Sequence, residues 1–71
     1  MTLGIEIEKE DDGRWIAEVT DLPGAMTYGA TRESALAAAK ALALRALADR
    51  LECGELCGED FADIHFVPDA A

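Results

Sequence analysis

The sequence predicts a small α+β domain, with a small antiparallel sheet packed by one long helix in the order β-β-β-α-β. Three observations carry this expectation. Side chains near the N-terminus alternate between apolar and charged, short turn motifs punctuate the first thirty residues, and a long run of strong helix formers follows. No repeat, low-complexity tract or dividing linker interrupts the chain, so residues 1–71 are read as a single domain.

The first predicted strand covers Met1 to Glu10. Leu3, Ile5 and Ile7 point one way and Glu6, Glu8 and Glu10 the other, the period-2 signature of a strand with one wet face. Asp11-Asp12-Gly13 supplies hairpin-turn chemistry. The return strand, Arg14 to Thr20, sets Trp15, Ala17 and Val19 against Ile16 and Glu18. Asp21-Leu22-Pro23-Gly24 reads as a second turn, and Ala25 to Tyr28 as a short third strand closed by Gly29.

Thr31 is placed to cap a helix, with Glu33 in the first turn facing the positive end of the helix dipole. A reciprocal capping box is not expected, because Ser34 stands where Glu or Gln is usual. The helix runs from Arg32 to about Glu52 and stops at Gly54. On a helical wheel Leu36, Ala43, Leu44, Leu47 and Leu51 form the stripe expected to cover the sheet. Leu42 lies outside that stripe, and alanines fill much of the remaining circumference, so the helix is expected to meet a second surface too. Lys40 falls within the stripe and is expected to lay its stem over apolar surface with its ammonium exposed. Residues 55–71 combine a polar link with Phe61, Ile64, Phe66 and Val67; a fourth strand is expected over Asp63 to Val67, ending at Pro68, at either edge of the sheet.

With 71 residues, the chain buries only about 60% of its unfolded surface, so a lone core is marginal. Cys53 and Cys57 cannot make a disulfide framework and His65 is the only histidine, which leaves oligomerisation as the expected source of extra stability. The balance of 15 acidic against 6 basic side chains, net charge −9, argues against contact with nucleic-acid phosphates or an anionic membrane surface. The N-terminus lacks the basic start and apolar core of a signal peptide, and no apolar run reaches the ~20 residues of a membrane span. A soluble, cytoplasmic protein is the expectation.

No catalytic, cofactor or metal site emerges. Cys53 and Cys57 with His65 do not have zinc-ligand spacing and are read as structural thiols and a surface or edge histidine. Glu6, Glu8 and Glu10 recur at strand period, which is the pattern of a solvated sheet face, and no EF-hand spacing is present. The glycines are dispersed at turns and caps, so no phosphate loop exists. Trp15 and Tyr28 have no basic neighbours of the kind that accompany base stacking, and are read as core or subunit contacts.

The stretch Glu10-Asp11-Asp12-Gly13-Arg14-Trp15-Ile16-Ala17-Glu18-Val19, then Asp21-Leu22-Pro23-Gly24 and Tyr28-Gly29-Ala30-Thr31-Arg32-Glu33-Ser34-Ala35-Leu36, resembles the N-terminal domain of HicB antitoxins. The likeness covers about residues 3–52, and Leu-Pro-Gly followed by Gly-x-Thr is its most specific part. It implies a partly degenerate ribonuclease-H-like fold without catalysis, whose partner is a small basic HicA-type toxin that cleaves messenger RNA. Ala25 stands where the family often has Cys, and Ala30 where it often has Asp before the capping Thr. Many members continue into a DNA-binding segment; this sequence ends at Ala71, so operator binding is not expected.

The function expected from charge and resemblance together is therefore a non-catalytic, antitoxin-like module that binds and neutralises such a toxin. A second reading is an orphan structural or adaptor oligomer, or a remnant ribonuclease-H-type ligand binder. Acidic residues cluster at both ends of the chain, and Glu6, Glu8, Asp11 and Asp12 are the candidate contacts for a basic partner. Trp15, Ile16, Tyr28 and Leu42 are the candidate contacts for assembly with further copies of the chain, with core packing as the competing role for Trp15 and Tyr28.

Overall fold

Alternating Leu3, Ile5 and Ile7 build β1 (Thr2–Lys9), which the Asp11-Asp12-Gly13 turn folds back into β2 (Trp15–Val19). A short β3 (Met26–Gly29), the helix α1 (Arg32–Glu52) and β4 (His65–Ala70) follow in the expected order. This architecture is that of a computed structural model, which describes residues 2–22, 24–55 and 64–70. Leu56 to Asp63, and with them Cys57 and Phe61, lie outside the described residues, as does Pro23 of the second turn.

The sheet order is β3-β2-β1-β4. β1 and β2 pair antiparallel with Ile5 opposite Val19 and Ile7 opposite Ala17; β2 and β3 pair antiparallel with Ile16 opposite Tyr28. The sheet is mixed rather than wholly antiparallel. β4 returns beside β1 in parallel register, Leu3 beside Phe66 and Ile5 beside Pro68, because the chain crosses over the sheet as a helix before the last strand. β4 also continues through Pro68 instead of stopping there. An edge strand has one row of backbone groups without sheet partners, so a residue without an N–H is tolerated in it.

One face of the sheet is sealed by α1. Leu3, Ile5, Ile7, Ala17 and Val19 meet Ala35, Ala39, Ala43 and Leu47 of the helix, and Leu22 and Ala25 close the core from the second turn. Leu36, Leu42, Trp15, Ile64 and Phe66 pack half-buried around this cluster. The covering stripe keeps Ala43 and Leu47 of the expected one, with Leu36 half-buried beside them, but is rotated toward Ala35 and Ala39. Ala35, Ala39 and Ala43 form its centre, while Leu44 and Leu51 are 47% and 40% exposed. The reason is distance. Small side chains let the helix backbone come close to the sheet, and close packing of the backbone outweighs the larger but more distant leucines.

Gly29 marks a tight approach of β3 to the first turn of the helix. A Cβ on it would collide with Ser34 Oγ and sit 2.5 Å from the Ala35 backbone nitrogen. Thr27 ties the same region, its hydroxyl donating to the Ala35 carbonyl at 3.0 Å.

Both helix ends are capped. Thr31 Oγ1 accepts from the Ser34 N–H at 3.1 Å and Ser34 Oγ accepts from the Thr31 N–H at 3.1 Å, so a reciprocal box forms after all. A serine hydroxyl suffices because it also donates to the Thr31 carbonyl at 3.0 Å, which holds its oxygen in position. At the other end Gly54, with φ +80°, lets the Glu55 N–H reach the Arg50 carbonyl at 2.9 Å and its own N–H reach Leu51 at 3.1 Å, a Schellman closure. Lys40 is half-buried with its ammonium 5.8 Å from the centre of the Phe66 ring.

Gly29→Ala should force the helix start off β3. The expected loss is about 1–3 kcal/mol of unfolding free energy, the usual range for overpacking, read by urea denaturation; an unchanged midpoint would show that the contact at Gly29 does not hold the helix.

Candidate functional site

The face of the sheet opposite α1 has no covering layer among the described residues. The same period that sends Leu3, Ile5 and Ile7 to the core sends Glu6 and Glu8 of β1 to this face, with Ile16 and Glu18 of β2 and Met26 and Tyr28 of β3. Register turns these residues into a grid. Glu6, Glu18 and Met26 form one row across three strands, and Glu8, Ile16 and Tyr28 form the next. Glu6, Glu8, Ile16, Glu18 and Met26 line a shallow groove of about 120 Å³. Small-molecule sites generally enclose 300–1,000 Å³, so the groove has room for the end of one side chain rather than a cofactor or metabolite.

The electrostatics of this face are one-sided. Glu6 and Glu18 stand directly opposite each other in the antiparallel ladder, an arrangement that destabilises a sheet. None of Glu6, Glu8 and Glu18 has an ion-pair partner among the described residues. The nearby cation is already engaged: Arg14 Nε donates to Asp12 Oδ2 at 2.7 Å, and its guanidinium carbon lies 5.0 Å from the centre of the Tyr28 ring. The Arg14 backbone N–H also donates to Asp12 Oδ1 at 3.0 Å. That backbone bond first, and the side-chain bond after it, hold the Asp12 carboxyl below the ordinary aspartate range.

The candidate acidic contacts therefore divide. Glu6 and Glu8 lie on the bare face, and Asp11 and Asp12 lie at the exposed hairpin tip, with Asp12 paired to Arg14. The candidate assembly residues divide as well. Trp15 and Leu42 pack against the core on the helix side, whereas Ile16 and Tyr28 lie on the bare face. No single surface unites those four. Glu18 and Met26 complete the groove and were not among the expected contacts; the alternation of Glu18 with Ile16 signals the correct face, but the pairing with Glu6 depends on register. Cys53 is an exposed free thiol at the helix C-cap, Cys57 lies outside the described residues, and His65 is exposed on the edge strand β4.

Among the described residues, no group of three or more His, Cys, Asp or Glu side chains converges as a metal site would require, and no helix is long and apolar enough to cross a membrane. What fold and face define is a four-stranded α+β domain with one bare, acidic sheet face. No family model, curated protein or solved structure matches the chain.

Two outcomes follow from this geometry. Glu18→Gln removes the charge opposite Glu6 and should stabilise the fold by roughly 0.2–1 kcal/mol at low salt; denaturation at rising ionic strength should show the gain shrinking as screening sets in. Asp12 has a lowered folded-state pKa, so its contribution is present above the ordinary aspartate value and lost as pH falls through the lowered one. Asp12→Asn should accordingly melt below the native chain at neutral pH, and the two melting curves should converge as pH drops below about 4.

Proposed function

We propose that this chain is a non-catalytic, HicB-like antitoxin module of a toxin–antitoxin pair. In this reading it acts in the cytoplasm, binding and neutralising a small basic HicA-type toxin that cleaves messenger RNA. The observation that carries the reading is the bare sheet face, where Glu6, Glu8 and Glu18 surround Ile16 and Met26 without a basic partner among the described residues. Such a surface suits lysine or arginine side chains, whose methylene stems can lie on the apolar floor while their charged ends meet the carboxylates. A cationic partner would also relieve the repulsion between Glu6 and Glu18. The net charge of −9 extends the attraction beyond contact range and would speed encounter.

The order of elements agrees with the resemblance as well. An Asp-Gly hairpin joins the first two strands, a short third strand ends in Gly29, and Thr31 caps a helix that covers one sheet face. These features support the HicB-like reading alongside the acidic face.

The test is a pull-down of the tagged chain from its source cells at low and high salt, read by mass spectrometry, followed by an RNA-cleavage assay on the recovered partner. The expected result is a small basic ribonuclease that is lost at high salt, inhibited by stoichiometric addition of this chain, and poorly retained by the Glu6→Lys, Glu18→Lys double variant. Recovery of nothing beyond further copies of the chain would instead favour an orphan structural or adaptor protein.

A further inference from the structure

The outer side of α1 carries a second apolar surface. Ala37, Ala41, Leu44, Ala48 and Leu51 follow one another at spacings of four, three, four and three residues, the repeat of a coiled-coil seam. These residues are not the ones that hold the sheet. Ala35, Ala39, Ala43 and Leu47 are buried beneath the helix, whereas Leu44 and Leu51 are among the large apolar side chains left most exposed. Ala37 and Ala48 are exposed and Ala41 is half-buried. The seam runs ~21 Å along the helix at 1.5 Å per residue, enough for several layers of side chains.

We propose that this seam is the contact with a second copy of the chain, packed as an antiparallel helix pair about a two-fold axis level with Ala46. From Ala41 to Leu51 the seam is complementary to itself in that register, while Ala37 falls opposite Glu55 just past the helix end. Leu44 of one copy lies opposite Ala48 of the other and Leu51 opposite Ala41, and the two-fold repeats both layers, so every leucine meets an alanine. A large residue against a small one in each layer fills space evenly and lets the axes approach to about 8 Å, the near end of the usual range. Parallel pairing would stack Ala41 on Ala41 and Leu44 on Leu44 and would bring Lys40 against Arg45 across the seam, a like-charge contact.

Charge points to the same partner and direction. Arg45, Asp49 and Glu52 are exposed along one flank of the seam, and antiparallel pairing brings that flank against its own copy. Helical side chains lean toward the N-terminus. This leaning carries each Arg45 away from its symmetry mate and toward Asp49 of the other copy. The helix dipoles also oppose one another in this arrangement. The pairing leaves the acidic sheet face open on both copies, because that face lies on the far side of each molecule from α1.

Sedimentation or light scattering over a dilution series of the intact chain should show a dimer, and Leu44→Glu should weaken it at least tenfold in Kd with the far-ultraviolet dichroism unchanged. Ala48→Glu provides the second seam variant, since neither side chain is part of the core. Arg45→Asp or Asp49→Arg alone should weaken the dimer, and the two together should restore it. A native chain that stays monomeric overturns the proposal. So does a dimer indifferent to Leu44→Glu and Ala48→Glu, which would place the contact on another surface. None of these readouts depends on a basic partner, so their failure is distinct from failure of the toxin-binding reading.

Discussion

The close seating of α1 on the sheet, through Ala35, Ala39 and Ala43 and against the bare backbone of Gly29, is the constraint on which the rest of this structure depends. A helix held this near contributes mostly alanines to the interface, with Leu47 its one large fully buried side chain, so the bulk of the core comes from the sheet side, from Leu3, Ile5, Ile7 and Val19. It also fixes the helix rotation. Once the alanine edge faces down, Leu44 and Leu51 must face out, and Lys40 must lie toward β4, where its ammonium meets the Phe66 ring.

That seating divides the molecule into two kinds of surface. The helix side carries an outward apolar seam that repeats at coiled-coil spacing, flanked by the exposed Arg45, Asp49 and Glu52. The other side is a sheet face whose strand residues follow the same alternation as the core but carry glutamates. A 71-residue chain has little apolar burial to spare, and placing Glu6 opposite Glu18 on such a frame costs stability. Uncompensated like charge on an otherwise well-capped fold is the kind of local conflict that functional surfaces retain, and it is the physical basis of the proposed affinity for a cationic protein.

The two surfaces are independent. The acidic face is built from β1, β2 and β3, and the outer seam from α1 alone, with the core between them. A helix-mediated dimer would present two acidic faces directed away from each other, each able to meet its own partner. Linked faces of this kind gain avidity against any partner that is itself paired or multivalent.

Much of this architecture was legible in the residues because local chemistry determines it. Period-2 alternation assigned Leu3, Ile5 and Ile7 to one face and Glu6 and Glu8 to the other; Gly13 and Gly24, both with positive φ, located the turns; Thr31 and Gly54 located the helix ends. Tertiary structure decided what depends on distance between segments far apart in the chain. The wheel places Leu44 and Leu51 on the sheet beside Ala43 and Leu47, yet only the latter two are buried there, joined by Ala35 and Ala39, because packing rewards close approach and not hydrophobicity alone. The opposition of Glu6 and Glu18 follows from hairpin register, and the parallel placement of β4 beside β1, through Pro68, follows from the helical crossover. The candidate site was half visible for the same reason. Sequence alone gives the side of a strand on which a glutamate lies, whereas only the paired sheet shows which glutamate it meets.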